Sequence, residues 1–169
     1  MPKFITELKP NEVFIFGSNS EGFSCSGSAG LAVRGPHWKK VPWREDPWVW
    51  HAIKAPVGHK DRIGHWGVWG IGRGWSQGKH GMSYAVETVR RAGAYRSTPI
   101  QEIENQLVEL LKFTDLHYEW RFLHTEIGSG LGGWTKEEMA HTLRAALKRH
   151  GTQPRNFIIP EDLYNETWI

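Results

Sequence analysis

Two glycine-rich loops, each set between an apolar run and the start of a helix, constrain this chain more than any other feature. The first follows Val13-Phe14-Ile15-Phe16 and reads Gly17-Ser18-Asn19, then Ser20-Glu21-Gly22-Phe23-Ser24-Cys25-Ser26-Gly27-Ser28-Ala29-Gly30. The second follows Phe122-Leu123-His124-Thr125 and reads Glu126-Ile127-Gly128-Ser129-Gly130-Leu131-Gly132-Gly133-Trp134. Glycine lets a backbone approach a ligand closely and take positive φ. A helix start behind such a loop offers unpaired N–H groups and partial positive charge to an anion. Two of these in one small chain point to a diphosphate held in a crevice. Gly17, Ser18, Asn19, Gly22 and Gly27 would line one side, and Gly128, Ser129, Gly130, Leu131, Gly132, Gly133 and Trp134 the other.

The pattern between the loops is that of an α/β protein. Val13–Phe16 is a continuous apolar run ended by glycine, as a buried parallel strand requires. Ser28–Arg34 is weakly helical. Ser83–Thr88 and Glu119–Glu126 read as further strands, and Asn156–Pro160 as a last one. Thr98-Pro99-Ile100-Gln101 opens a helix, with threonine as cap, proline in the first turn and glutamine as capping-box partner. Ile100, Ile103, Leu107, Leu110 and Leu111 form its apolar stripe. Thr135-Lys136-Glu137-Glu138 is a second capping box, followed by Met139, Leu143, Ala146 and Leu147 on one face and terminated by Gly151. Strands alternating with helices imply a mostly parallel sheet covered on both faces, with ligands at the carboxyl ends of the strands.

The 169 residues suffice for one domain with a real core and are too few for two, so residues 1–169 read as one unit. From Pro36 to about Gly64 no period holds, and prolines 36, 42, 47 and 56 break the chain, as in an inserted loop. Seven of the ten tryptophans fall between Trp38 and Trp75. Within the insertion Trp38, Trp43, Trp48 and Trp50, with Trp66 just beyond it, alternate with Lys39, Lys40, Arg44, Lys54, Lys60 and Arg62. Such interleaving suits a lid over a nucleotide, a strip for single-stranded nucleic acid, or a small second core that orders a long loop. A formal charge of +3 fits an anionic ligand without demanding nucleic acid. No run approaches the roughly 18 apolar residues of a membrane helix. A single cysteine, Cys25, and an N-terminus without a signal-like apolar stretch lead us to expect a cytoplasmic protein.

Phe14-Ile15-Phe16-Gly17-Ser18-Asn19, Gly70-Ile71-Gly72, Ser83-Tyr84-Ala85-Val86 and Ile127–Trp134, in this order and spacing, resemble a macro-domain-like group of bacteria and phages. The matching segments run from about residue 12 to 164, with 36–64 as an extra insertion. The resemblance implies a three-layer α/β/α sandwich around a mostly parallel sheet. It implies ADP-ribose, or a related adenine nucleotide derivative, as ligand. Some members hydrolyse ADP-ribosyl esters, ADP-ribosylated side chains or ADP-ribose phosphate. Asn19 stands where hydrolytic members keep an asparagine near the distal ribose. After Gly22 this chain has Ser24-Cys25-Ser26-Gly27, where the family is richer in glycine and often has a histidine. Gly132 matches a position that is aromatic in many members. The family's adenine-binding aspartate has no counterpart here.

The candidate catalytic residues are Asn19, which would orient a ribose or a water, and Glu126, a carboxylate at a strand end that would act as general base. Each has a plainer role open to it: Asn19 as a turn residue, Glu126 as a helix cap or a solvated charge. Glu87 is a further strand-end carboxylate of the same kind. Cys25 reads as a small packing residue or a thiolate before a helix. His124, inside a strand, reads as a core residue. The nine histidines show no metal-ligand spacing, so no metal and no cofactor is expected. Gly128, Gly130 and Gly133 also spell G-x-G-x-x-G, but the chain has no room for the rest of a dinucleotide-binding half. Three function classes follow: an ADP-ribose-derivative hydrolase, a non-catalytic nucleotide sensor or sequestering module, and a nucleic-acid or protein interaction domain working through the insertion. Nothing in the sequence sets the oligomeric state.

Overall fold

An apolar run such as Val13–Phe16 has no face to give to water, so it belongs at the centre of a sheet. In the computed structural model it does lie there: β1 spans Glu12–Asn19, and Val13, Phe14, Ile15 and Phe16 are all 0% exposed. The structure describes residues 8–19, 73–77, 81–90, 96–125, 127 and 133–159. The other elements are β2 (Gly74–Gln77), β3 (Met82–Val89), α1 (Ile100–Leu116), β4 (Arg121–His124), α2 (Lys136–His150) and β5 (Phe157–Ile158). They form a five-stranded sheet in the order β2-β3-β1-β4-β5. The β3–β1, β1–β4 and β4–β5 pairs are parallel, and β2 alone runs antiparallel, on β3. The fold is therefore a mixed α/β one with a mostly parallel sheet.

Register decides which side chains meet the helices. Val13 lies opposite Met82 and Phe122, and Ile15 opposite Tyr84 and His124. Val13, Ile15, Met82, Tyr84 and Phe122 share a core with Ile103, Leu107, Leu110 and Leu111 of α1 and with Met139, Ala140, Leu143 and Ala146 of α2. On the alternate positions Phe14, Phe16, Ala85 and Leu123 are buried as well. Both faces of the sheet are thus withdrawn from water, as a sheet of continuous apolar strands requires.

The helix ends follow their local chemistry unequally. Thr135 caps α2 as a full capping box, its hydroxyl accepting from the Glu138 N–H at 3.0 Å while the Glu138 carboxylate accepts from the Thr135 N–H at 3.0 Å. Gly151, at φ 107°, ends the helix and donates its N–H to the Leu147 carbonyl. The box expected at Thr98 and Gln101 does not form. The N-cap of α1 is Pro99, with no side-chain cap. The Thr98 hydroxyl instead donates to the Glu87 carboxylate, and Gln101 donates to Glu104 and Asn105 on its own helix. A buried carboxylate with room for another donor outcompetes a solvent-accessible helix start.

Other boundaries also shift. Strand β4 is shorter than Glu119–Glu126 because a turn, closed by Trp120 N–H to the His117 carbonyl, occupies its start. Strand β5 is two residues of the expected five. Strand β2, an edge strand without an apolar run, was not legible from the pattern. Trp75 on β2 stacks on Trp120 at 5.7 Å, and Trp120 stacks in turn on His117 at 4.3 Å. That tryptophan acts as a packing anchor. The proposed helix 28–34 and the insertion 36–64 lie outside the described residues.

Candidate functional site

Parallel strands place their carboxyl ends along one edge. Here that edge carries Gly17, Ser18 and Asn19 of β1, Glu87, Thr88 and Val89 of β3, and Thr125 and Ile127 after β4. Ser18 lies opposite Glu87, and a register shift follows it before Asn19. Side-chain hydroxyls tie the strand ends together. Thr88 donates to the Ser18 carbonyl, and Thr125 donates to the Ile15 carbonyl across the β1–β4 pair. Both threonines and Ser18 are buried. The root of the first glycine loop is thus fixed by its neighbours on either side.

The second loop leaves β4 at the same edge and re-enters the described residues at Gly133. There φ is 85°, a backbone region that a side chain disfavours, so glycine at this position has a conformational reason. Trp134 follows and packs against the core, and its buried indole N–H has no acceptor among the described residues. Then Thr135 caps α2, with Glu137 and Glu138 in its first turn. Gly22, Gly27, Gly128, Ser129, Gly130, Leu131, Gly132, Glu126 and the Asn19 side chain lie outside the described residues. The structure therefore places Gly17, Ser18, the Asn19 backbone, Gly133 and Trp134 at or next to the carboxyl edge.

Two arginine sites escaped the sequence reading. Glu87, nearly buried at the end of β3, accepts from Arg90 at 2.7 Å, from Arg73 at 3.1 Å and from Thr98 at 3.1 Å. Both arginines also reach Glu102 in the first turn of α1. The Glu87 backbone is held as well: Gln106 accepts its N–H at 2.6 Å and donates to its carbonyl at 2.8 Å. The amide of Gln106 stands in for a strand partner beyond the end of β2. A carboxylate engaged by three donors is a structural acceptor rather than a free base, so Glu87 leaves the list of catalytic candidates.

The second arginine site is Arg96, which has φ 49°. Its guanidinium lies 4.6 Å from the centre of the Trp134 ring. It donates to the Gly133 carbonyl and to Glu138, each at 2.9 Å. The Thr135 N–H, followed by the Thr135 hydroxyl and Arg96, holds the Glu138 carboxyl below the usual carboxylate range. Only the geometry reveals this arginine, since Gly93-Ala94-Tyr95-Arg96-Ser97 has no period and no motif.

His124 is fully buried opposite Ile15 and packs on the Phe157 ring at 5.5 Å. Burial lowers its pKa to about 3, so its ring is neutral at ordinary pH. The unfolded chain would take up a proton near the ordinary value of 6.5. Stability from this group is full above that pH and is lost as pH falls from there toward 3. The expected slope is at most one proton, about 1.4 kcal/mol per pH unit. Urea unfolding of the parent and of His124→Leu between pH 7 and pH 4.5 checks this. The parent should lose stability faster on acidification, and parallel curves would contradict it.

Among the described residues no group of three or more His, Cys, Asp or Glu is placed to hold a metal ion, and no helix is long and apolar enough to cross a membrane. By its described elements the chain is a mixed α/β protein with a candidate site at the carboxyl edge of its sheet. No family model, curated protein or solved structure matches it.

Proposed function

We propose that the chain binds ADP-ribose or a related adenine (di)nucleotide derivative, on a three-layer macro-like sandwich. The diphosphate lies between the loop that leaves β1 at Gly17–Asn19 and the loop that enters α2 at Gly133–Trp134. One observation carries the reading: the parallel register brings the roots of both glycine-rich loops to one edge, where the second ends in a positive-φ glycine ahead of a capped helix. Oriented N–H groups and the helix start favour an anion there. Burial of Phe14, Phe16, Ala85 and Leu123 on the sheet face away from α1 and α2 fits a third layer. We place the protein in the cytoplasm.

A thermal-shift screen of ADP-ribose, its phosphates, NAD and cyclic ADP-ribose isomers tests this. Ligand at 100 times its Kd stabilises by about 2.7 kcal/mol, a readily visible shift. No shift with any of them would remove the reading. If turnover accompanies binding, the reaction is hydrolysis at the distal ribose, with Asn19 orienting the water and Glu126 as base. Asn19→Ala should then lower kcat and kcat/KM together by at least tenfold, about 1.4 kcal/mol of transition-state stabilisation. Equal rates in variant and parent would end that role.

The sequestering or sensing reading is favoured by a specific observation. Glu87, a strand-end carboxylate at this edge, is committed to Arg73, Arg90 and Thr98. Binding of ADP-ribose with no product from any ADP-ribosyl substrate would establish it. Action on nucleic acid through the tryptophan-rich insertion predicts instead a steep salt dependence of binding to single strands.

A further inference from the structure

Arg96 touches three consecutive parts of one corner. Its Nε donates to the Gly133 carbonyl, its guanidinium covers the Trp134 ring, and its Nη2 donates to Glu138, the third residue of α2. Gly133 is the last glycine of the second loop, and Glu138 closes the capping box that starts the helix. A peptide plane is rigid and trans, so its carbonyl and the next N–H point opposite ways. Fixing the Gly133 carbonyl on Arg96 therefore fixes the direction of the Trp134 N–H. The planar guanidinium suits this task, because its fork holds two acceptors in set directions while its face stacks on an aromatic ring.

Charge gives a second reason. Glu137 and Glu138 put negative charge in the first turn of α2, where an approaching anion meets it. Pairing with Arg96 offsets the charge of Glu138 at the point nearest the loop. Arg96 belongs to the segment after β3 and Gly133 to the segment after β4, so the contact also joins two separate crossovers at the sheet's carboxyl edge.

We propose that Arg96 is a positioning residue for the anionic ligand: it sets the exit of the second glycine-rich loop and screens the acidic first turn of α2. The ligand half of this inference rests on the ADP-ribose reading; the loop half does not.

The test uses the full chain and the variants Arg96→Ala and Arg96→Lys. Amide hydrogen exchange is followed without ligand, ADP-ribose affinity by calorimetry, and stability by thermal melting. We expect Arg96→Ala to speed exchange at Gly133–Glu138 selectively, to weaken ADP-ribose affinity at least tenfold, and to leave the melting temperature nearly unchanged. Arg96→Lys keeps the charge without the fork and should fall between the two. Added ethylguanidinium should restore part of the affinity of Arg96→Ala and none to the parent. Unchanged exchange at Gly133–Glu138 in both variants would overturn the proposal. So would parent-like affinity, or exchange raised evenly across the sheet. If the parent itself does not bind ADP-ribose, the functional reading fails, and selective exchange in Arg96→Ala still establishes the loop-setting role. Should Arg96→Ala not fold, Arg96→Lys carries the same comparison.

Discussion

Replacing Gly133 by valine is expected to leave a folded chain that has lost at least 100-fold of its affinity for ADP-ribose, about 2.7 kcal/mol. Gly133 sits at φ 85°, where a β-branched residue is strained by roughly 1–3 kcal/mol. The chain relieves that strain by turning about the N–Cα bond of residue 133 toward negative φ. Such a rotation withdraws the carbonyl that Arg96 holds and turns the Trp134 N–H with it. The core side chains of α2 begin only at Met139, so the helix itself has no reason to unfold. Circular dichroism should match the parent while calorimetry shows the loss. Parent-like affinity in a folded Gly133→Val would take the second loop out of the site.

Phe122→Ala is expected to cost about 3–5 kcal/mol of stability, the range for truncating a large buried aromatic. Phe122 is fully buried on β4, opposite both Val13 and Phe157, with the Phe113 ring edge-on at 5.7 Å. Its removal empties the junction where α1, β1 and β5 meet, and these parts of a central sheet cannot collapse inward cheaply. Against the 5–15 kcal/mol of an ordinary domain, this is a large fraction. Urea unfolding measures it. A loss below about 1 kcal/mol would contradict the central place given to β4.

The features legible in the sequence were those whose cause is local. Val13–Phe16 announced a buried strand because it offers water nothing. The Thr135–Glu138 box and Gly151 marked α2 because cap chemistry lies within a few residues. The stripe from Ile103 to Leu111 marked α1, and those residues are buried. The misreadings arose where a distant group competed. Thr98 had the composition of a cap, but Glu87, eleven residues earlier, took its hydroxyl. Glu87 has the strand-end position of a candidate base, but Arg73 and Arg90 close on it. Strand β2 carries no apolar run, since it is an edge strand whose pairing comes from β3.

The site was legible only in part, for a related reason. Glycine loops show in a sequence because glycine is required where they bend. That the two loops leave the same sheet edge depends on strand order, and β3 and β4 both flank β1 only after the chain has crossed over. Arg96 could not be found in advance. Its role comes from a contact with Gly133, 37 residues away.

The most direct test of the account is a nuclear magnetic resonance titration of the isotope-labelled chain with ADP-ribose. Amides at the carboxyl edge, those of Ser18, Thr88, Thr125, Gly133 and Trp134, should shift together and saturate with one ligand per chain. Amides at the opposite ends of the same strands, Glu12, Met82 and Arg121, should stay in place. Shifts centred on those amino ends, or none at millimolar ADP-ribose, would contradict it.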